Sequence, residues 1–394
     1  MSKLQELIQK LCPNGVEYKK LGDFCEIKTG KGITKSDAVL GGTYPIISGG
    51  QSPMGYYHTF NREANTVTIS RVGAYAGFVN YIKERFYLND KCFSVIPASE
   101  RVSTLFLFYT LKNMESKIKE LQSEGGVPTI NTTKVSNLEI PLPPFEIQEE
   151  VALILDRFAE YAAELQAELQ AELQARKEQY EYYRNKLLMF DKIGGGRGTQ
   201  SVTWMKMSEI GKICMCKRIM KEQTNNIGGV PFYKIGTFGK VADAYISQEL
   251  YEDYKNRFSF PVKGEVLISA SGTIGRSVIY DGKDAYFQDS NIVWVHNDET
   301  KVLNKYLYHY YRIIEWNVEG GTIKRLYNSN LAKTKIAVPS LPEQERIVNI
   351  LDKFENLTTD LQTGLPAEMA AVQEQYEYYR NKLLSFPRNE KISA

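Results

Sequence analysis

The chain is written twice. "EQYEYYRNKLLMF" (178–190) returns as "EQYEYYRNKLLSF" (374–386), 196 residues later, and the same offset links Gln148, Glu149 and "ILD" (154–156) to Gln344, Glu345 and "ILD" (350–352). Upstream the copies match more loosely but in order. "VTISRVGAYAG" (67–77) aligns with "VLISASGTIG" (266–275), "EIPLPPFEIQEE" (139–150) with "AVPSLPEQER" (337–346), and "VEYKKLGDF" (16–24) with "VTWMKMSEI" (202–210). A duplication of this kind constrains the fold more than any composition, because both copies must be satisfied by one structural solution.

Each copy has a variable stretch of domain size and a better-matched tail. In the variable stretches, short β-branched runs such as "TVTIS", "CFSVI", "EVLIS" and "NIVWV" lie between Gly- and Asn-rich turns, and each stretch closes on a short helical segment. The tails follow a proline-rich stop, where proline suits the first turn of a helix. The expected class is α+β: two tandem β-rich mixed domains separated by two long antiparallel helices. The boundaries read 1–145 for the first domain, 146–192 for the first helix and 193–200 for a Gly-rich linker. The second domain is 201–342 and the second helix 343–388. Gly364 and Pro366 predict a break near 364–366, because proline inside a helix removes a hydrogen bond and clashes with the preceding turn.

Between Glu146 and Phe190 there is neither proline nor glycine. Val151, Leu155, Phe158, Leu165, Leu169 and Leu173 read as one buried stripe. "AELQAELQAELQ" (163–174) sits inside it as a four-residue unit repeated three times. Each unit adds about 6 Å of helix, so the stretch reads as a ruler, with Leu165, Leu169 and Leu173 holding it to its partner helix. A homodimerising coiled coil explains the tails taken alone equally well. The repeated "YEYYRNKLL" covers several helix faces and favours two equivalent docking sites. Gln148, Tyr182 and Arg184, with Gln344, Tyr378 and Arg380, are the candidate docking residues.

The variable domains carry residues suited to DNA at matched places. In the first these are Lys28, Lys31 and Lys35 around two glycines, Ser70, Arg71 and Tyr75 at a strand exit, and Asn131 and Lys134. In the second they are Lys217, Arg218 and Lys221, then Ser269, Ser271, Thr273 and Arg276, then Lys324, Arg325 and Asn328. Lysines and backbone amides suit phosphates, while Asn and Arg can make the bidentate contacts that separate adenine from guanine. Each of these residues, taken singly, reads equally as part of a solvated loop. A net charge of +2 assigns any nucleic-acid surface to local patches rather than a global field.

Other classes fall away. There is no continuous apolar h-region at the N-terminus, and the longest apolar run is far short of the roughly 20 residues that span a bilayer, so a cytoplasmic protein with no membrane partner is expected. The five cysteines show only a lone C-x-C, and no metal site is expected. "LPPF" (142–145) resembles an amino-methyltransferase motif but has Leu142 where an acidic or amide residue would hold the amine. No nucleophile–histidine set, paired carboxylates or cofactor loop accompanies it.

"PNGVEYKKLGD", "PLPPFEIQEEVALILD", "PSLPEQERIVNILD", "GLPAEM" and the twin "YEYYRNKLL" together resemble the specificity (S) subunit of Type I restriction–modification systems over essentially the whole chain. The resemblance implies two target-recognition domains, each reading one half of a bipartite double-stranded DNA site. It also implies a non-catalytic chain whose helices dock two methyltransferase (M) subunits, with restriction (R) subunits joining through that core. S-adenosylmethionine, ATP and Mg would be bound by those partners, and no cofactor by this chain. Two other classes compete: a structural coiled-coil scaffold with protein- or glycan-binding end domains, and a remnant of an enzyme whose catalytic domain is separate.

Overall fold

The computed structural model describes residues 3–123, 126–190, 202–321, 324–360 and 364–389; the expected linker at 193–200 lies outside them. The chain divides into two compact units. One comprises Met1–Leu169 with Met369–Ala394, the other Gln170–Glu368. Each unit therefore holds one β-rich domain, the near half of that domain's own helix, and the far half of the other copy's helix.

The two β-rich domains are built alike. In the first, Glu17–Lys20 pairs antiparallel with Glu139–Leu142, next to the helix start. A four-stranded antiparallel sheet runs in the order Cys25–Thr29, Cys92–Pro97, Thr66–Ser70, Val79–Ile82. A small sheet joins Tyr56–Tyr57, Tyr44–Ile47 and Tyr87–Leu88, the last pair parallel. In the second domain the same three sheets recur. Thr203–Lys206 pairs with Lys335–Val338, four strands run Lys212–Cys214, Ile292–His296, Val266–Ser269, Ser277–Ile279, and Tyr245–Ile246, Val230–Tyr233 and Tyr286–Phe287 form the small sheet, again with one parallel pair.

Side chains on a strand alternate between faces, and the central strand of each four-stranded sheet is buried on both. Val266 and Ile268 face one core with Tyr306, Leu307 and Tyr310, while Leu267 and Trp294 face a second with Phe232 and Tyr286. In the first unit Val67 and Ile69 join Leu107 and Leu111 in the core. Its opposite face is polar: the Arg62 guanidinium donates to Ser94 Oγ (2.8 Å), Asn61 O (2.8 Å) and Thr29 O (3.1 Å).

The first helical region is one helix, Phe145–Leu188, of 44 residues. The second is two, Leu341–Thr359 and Leu365–Leu384. Pro366 is the second residue of the restarted helix, where its missing N–H costs nothing. Within the first unit the two helices run antiparallel, since Gln166 donates to Met369 O while Phe158 lies 5.7 Å from Tyr379. In the second unit the equivalent ring pair, Tyr183 and Phe354, is stacked at 5.6 Å.

The single buried stripe is corrected. Val151, Leu155 and Leu173 are buried, but Phe158 is 39% and Leu165 43% exposed, with Leu169 between the extremes. For the three leucines the cause is the repeat itself. Four residues turn an α-helix by about 400°, so successive AELQ leucines drift about 40° around the axis. Leu165, Leu169 and Leu173 accordingly pass from exposed to buried instead of sharing one face.

Candidate nucleic-acid interface

Within each unit the fold joins loops that are remote in sequence. In the first, the loop after Ser70 meets the stretch before Asn131: Gly73 N–H donates to Pro128 O (3.0 Å) and Ile130 N–H to Arg71 O (2.8 Å). In the second, Ser271 bridges Arg325, and Leu326 N–H donates to Ala270 O (2.8 Å). The candidates at these two places thus share one surface in each domain.

Several of them serve the fold. Ser70 is buried and accepts from Cys92 Sγ, and Ser269 is buried, with its Oγ accepting from Arg276 N–H and donating to Thr273 O. Neither reaches solvent, which corrects both as DNA contacts: a hydroxyl there closes the strand-exit turn. Ser271 donates to Asn291 Oδ1 (2.9 Å), and Arg325 donates to Ser290 Oγ (2.9 Å) and Asn291 Oδ1 (3.1 Å). Arg276 donates to Phe238 O (3.0 Å). Asn131 caps the helix Thr132–Ser136 by accepting from Lys134 N–H (2.9 Å), and Lys134 Nζ donates to Leu121 O (2.9 Å). Arg71 lies over the Phe93 ring at 5.4 Å, half-buried.

Of the backbone amides around Gly30 and Gly32 expected to approach phosphates, those of Gly30 and Lys31 are corrected, being used within the fold. Gly30 N–H donates to Cys92 O and Lys31 N–H to Leu88 O. Glycine is required at 30 because a Cβ would stand 2.2 Å from Leu88 O. The exposed groups left facing solvent are Lys31, Lys35, Tyr75, Lys221, Thr273, Lys324 and Asn328. Lys28 is paired with Glu26 at 2.6 Å, Arg218 with Asp289 at 2.9 Å, and Lys217 lies over the Phe258 ring at 5.2 Å.

On the helices, Gln148 and Gln344 are corrected from docking residues to internal ties. They are 1% and 0% exposed, and each side-chain amide accepts from the first turn of the neighbouring domain helix, Ser103 N–H or Leu303 N–H. Tyr182 and Tyr378 are both 59% exposed. Arg380 donates to Asn113 Oδ1 (3.1 Å), whereas Arg184 rests over the Tyr180 ring.

One constellation has a sequence signal in only one of its halves. Asp156 and Asp352, repeated in "ILD", accept from Tyr109 (3.0 Å) and pair with His309 (2.8 Å), residues at matched places on the diverged domain helices. His309, Asp352 and Glu355 present donor atoms within 4.8 Å of one another, a spacing a metal could use. Each of the three groups is already engaged within the chain, by Tyr180, Lys305 and Arg312, so the cluster is satisfied without a metal. Burial pushes the His309 imidazole below its ordinary 6.5, against the pull of Asp352. The unfolded chain therefore takes up this proton first, so the site's contribution to stability is full above about pH 6.5 and is lost as pH falls below it. Thermal unfolding followed from about pH 7.5 to 5.5 is expected to show this loss, and His309→Tyr, copying Tyr109, is expected to flatten it. An unchanged slope in His309→Tyr would refute the assignment.

The sequence profile described as the Type I restriction modification DNA specificity domain matches residues 13–175 and 201–371, one match per copy. A putative type I restriction enzyme specificity subunit from Haemophilus influenzae is 45% identical over 381 residues, covering 94% of this chain and 96% of the relative. The EcoR124I/EcoR124II specificity subunit of Escherichia coli is 29% identical over 310 residues, covering 73% and 72%. Among solved structures, a chain from work on assembly and conformational transition of the type I R-M system aligns with a TM-score of 0.66 at 18% identity, covering 95% of this chain and 98% of that one. The HsdS subunit from Thermoanaerobacter tengcongensis aligns at 0.55 and 17%, covering 95% and 96%. These two likenesses establish the shared fold, and the two tandem profile matches establish the family. The chain belongs to the DNA specificity subunits of type I restriction–modification systems.

Proposed function

We propose that this chain reads a bipartite double-stranded DNA target, one β-rich domain to each half-site, and holds two methyltransferase subunits on its helical parts, with restriction subunits joining through the same core. The observation that carries this reading is the repetition of one β-rich architecture twice, each copy with exposed cations on diverged loops. The equal exposure of Tyr182 and Tyr378 supports two equivalent docking sites. In this reading the chain is non-catalytic and works in the cytoplasm. S-adenosylmethionine, ATP and Mg are bound by the partners, and the helix Phe145–Leu188 sets the unread spacer. Among the described residues no helix is long and apolar enough to cross a membrane.

The test is to map methylated bases genome-wide in cells with and without the gene. Alongside it, the chain is co-purified with its methyltransferase subunit and its DNA binding followed against salt. Gene-dependent methylation at one split, asymmetric motif is expected, with affinity falling steeply as salt rises because phosphate contacts release counterions. Absence of any gene-dependent motif would refute the reading, and methylation by this chain alone would overturn its non-catalytic part.

A further inference from the structure

The two most exposed large hydrophobic side chains among the described residues are Leu40, at 104% of full exposure, and Ile227, at 89%. They lie in different domains and at the same place in the fold, just before the middle strand of the small sheet. Each is followed by two glycines. Gly41 and Gly228 have φ of +80° and +78°, a backbone that side-chain-bearing residues rarely adopt. A Cβ on Gly42 would stand 2.7 Å from Tyr57 N, and one on Gly229 2.3 Å from Ile246 O. Tyr57 and Ile246 are themselves equivalent, facing Tyr44 and Val230 across the sheet. The glycines thus press each turn onto the neighbouring strand, and the aliphatic side chain is left with no surface of its own domain to cover.

The turn is also tied down upstream. Val39 N–H donates to Tyr56 O and Asn225 N–H to Tyr245 O, both at 2.8 Å. Before them stand two lysine-bearing 3-10 turns, Lys35–Asp37 and Lys221–Gln223. In these, Asp37 accepts from Thr34 N–H (2.8 Å) and Gln223 from Met220 N–H (2.9 Å). Single exposed apolar side chains are common on protein surfaces and need no explanation. A largely exposed aliphatic tip on a tied-down turn, a few residues after an exposed lysine and kept at the matched position of two domains that otherwise diverge, calls for a partner with both phosphates and an apolar feature. In a DNA groove the base edges are polar except for one group, the thymine 5-methyl in the major groove.

We infer that Leu40 and Ile227 are thymine-reading tips, each contacting a thymine 5-methyl in its own half-site while Lys35 and Lys221 meet neighbouring phosphates. The inference rests on the DNA-reading function proposed above. The test uses the full chain in complex with its methyltransferase subunit and duplexes carrying the mapped target, with the thymines of one half-site or the other replaced by deoxyuridine. Wild type is expected to bind each deoxyuridine duplex about fivefold or more weakly. Leu40→Ala is expected to lose that discrimination for one half-site and Ile227→Ala for the other. Both variants should unfold as wild type does, since neither side chain is buried. A wild-type complex that binds its target but ignores deoxyuridine overturns the tips alone. So do variants that keep full discrimination, or lose affinity equally for both duplexes. A wild-type complex that binds no bipartite duplex sinks the proposed function and this inference with it.

Discussion

Removing one AELQ unit, residues 167–170, is expected to abolish methylation at the original sites and to move it to sites whose unread spacer is one or two base pairs shorter. Both half-site sequences should stay as they were. The helix is continuous through the repeat, so the deletion draws everything beyond it about 6 Å along the axis and turns it by about 40°. A base-pair step is about 3.4 Å, which sets the change at one to two pairs. The loops proposed to meet DNA are untouched, so the bases read should not change. At the old spacing the duplex would have to stretch and twist to satisfy both domains, a deformation of several kcal/mol. Affinity there should fall on the order of a hundredfold. Methylated bases mapped in cells carrying wild type or deletion give the answer directly. Altered half-sites, or an unchanged spacer, would end the ruler reading.

Gln344→Ala is expected to cost about 3 kcal/mol of unfolding free energy, and Gln148→Ala a similar amount. Gln344 accepts from Leu303 N–H (2.8 Å) and donates to Lys301 O (2.9 Å) and Pro339 O (2.8 Å). Its twin accepts from Ser103 N–H (2.9 Å) and donates to Pro143 O (2.7 Å) and Arg101 O (3.3 Å). Alanine would leave one buried N–H and two carbonyls without the partner that ties a long helix to its domain. Gln344→Glu should be worse, because a carboxylate oxygen would then face two carbonyl oxygens in place of an N–H donor. Chemical denaturation of each variant measures the loss. A change below about 1 kcal/mol in either alanine variant would mean that water or a neighbour replaces the amide, and would refute the tie.

These glutamines also mark how far sequence reasoning reached. Their recurrence at a fixed offset was visible and signalled importance, but recurrence cannot separate a docking residue from a buried tie. Their acceptor role depends on Ser103 and Leu303, on helices whose sequences have diverged. Ser70 and Ser269 mislead for a related reason: a hydroxyl at a strand exit looks ready for DNA until the strand is seen to be buried on both faces. Lys35, Tyr75 and Lys324 remain where a loop reading puts them, in solvent. Arg62 carried no signal, because the polar face that it satisfies is assembled from Ser94 and Thr29 on other strands.

By itself the sequence determined the duplication, the α+β class, the uninterrupted first helix and the family. The first three follow from local pattern and repetition, and the family from the resemblance its motifs carry, all of which survive without knowledge of what touches what. Only the tertiary structure decided that each unit borrows the far half of the other copy's helix. It also decided that the AELQ leucines fan from exposed Leu165 to buried Leu173, and that Leu40 and Ile227 stand clear at matched tips. Those outcomes depend on distant strands and helices meeting, and on a 40° drift whose effect shows only once a neighbouring surface defines which side is inside.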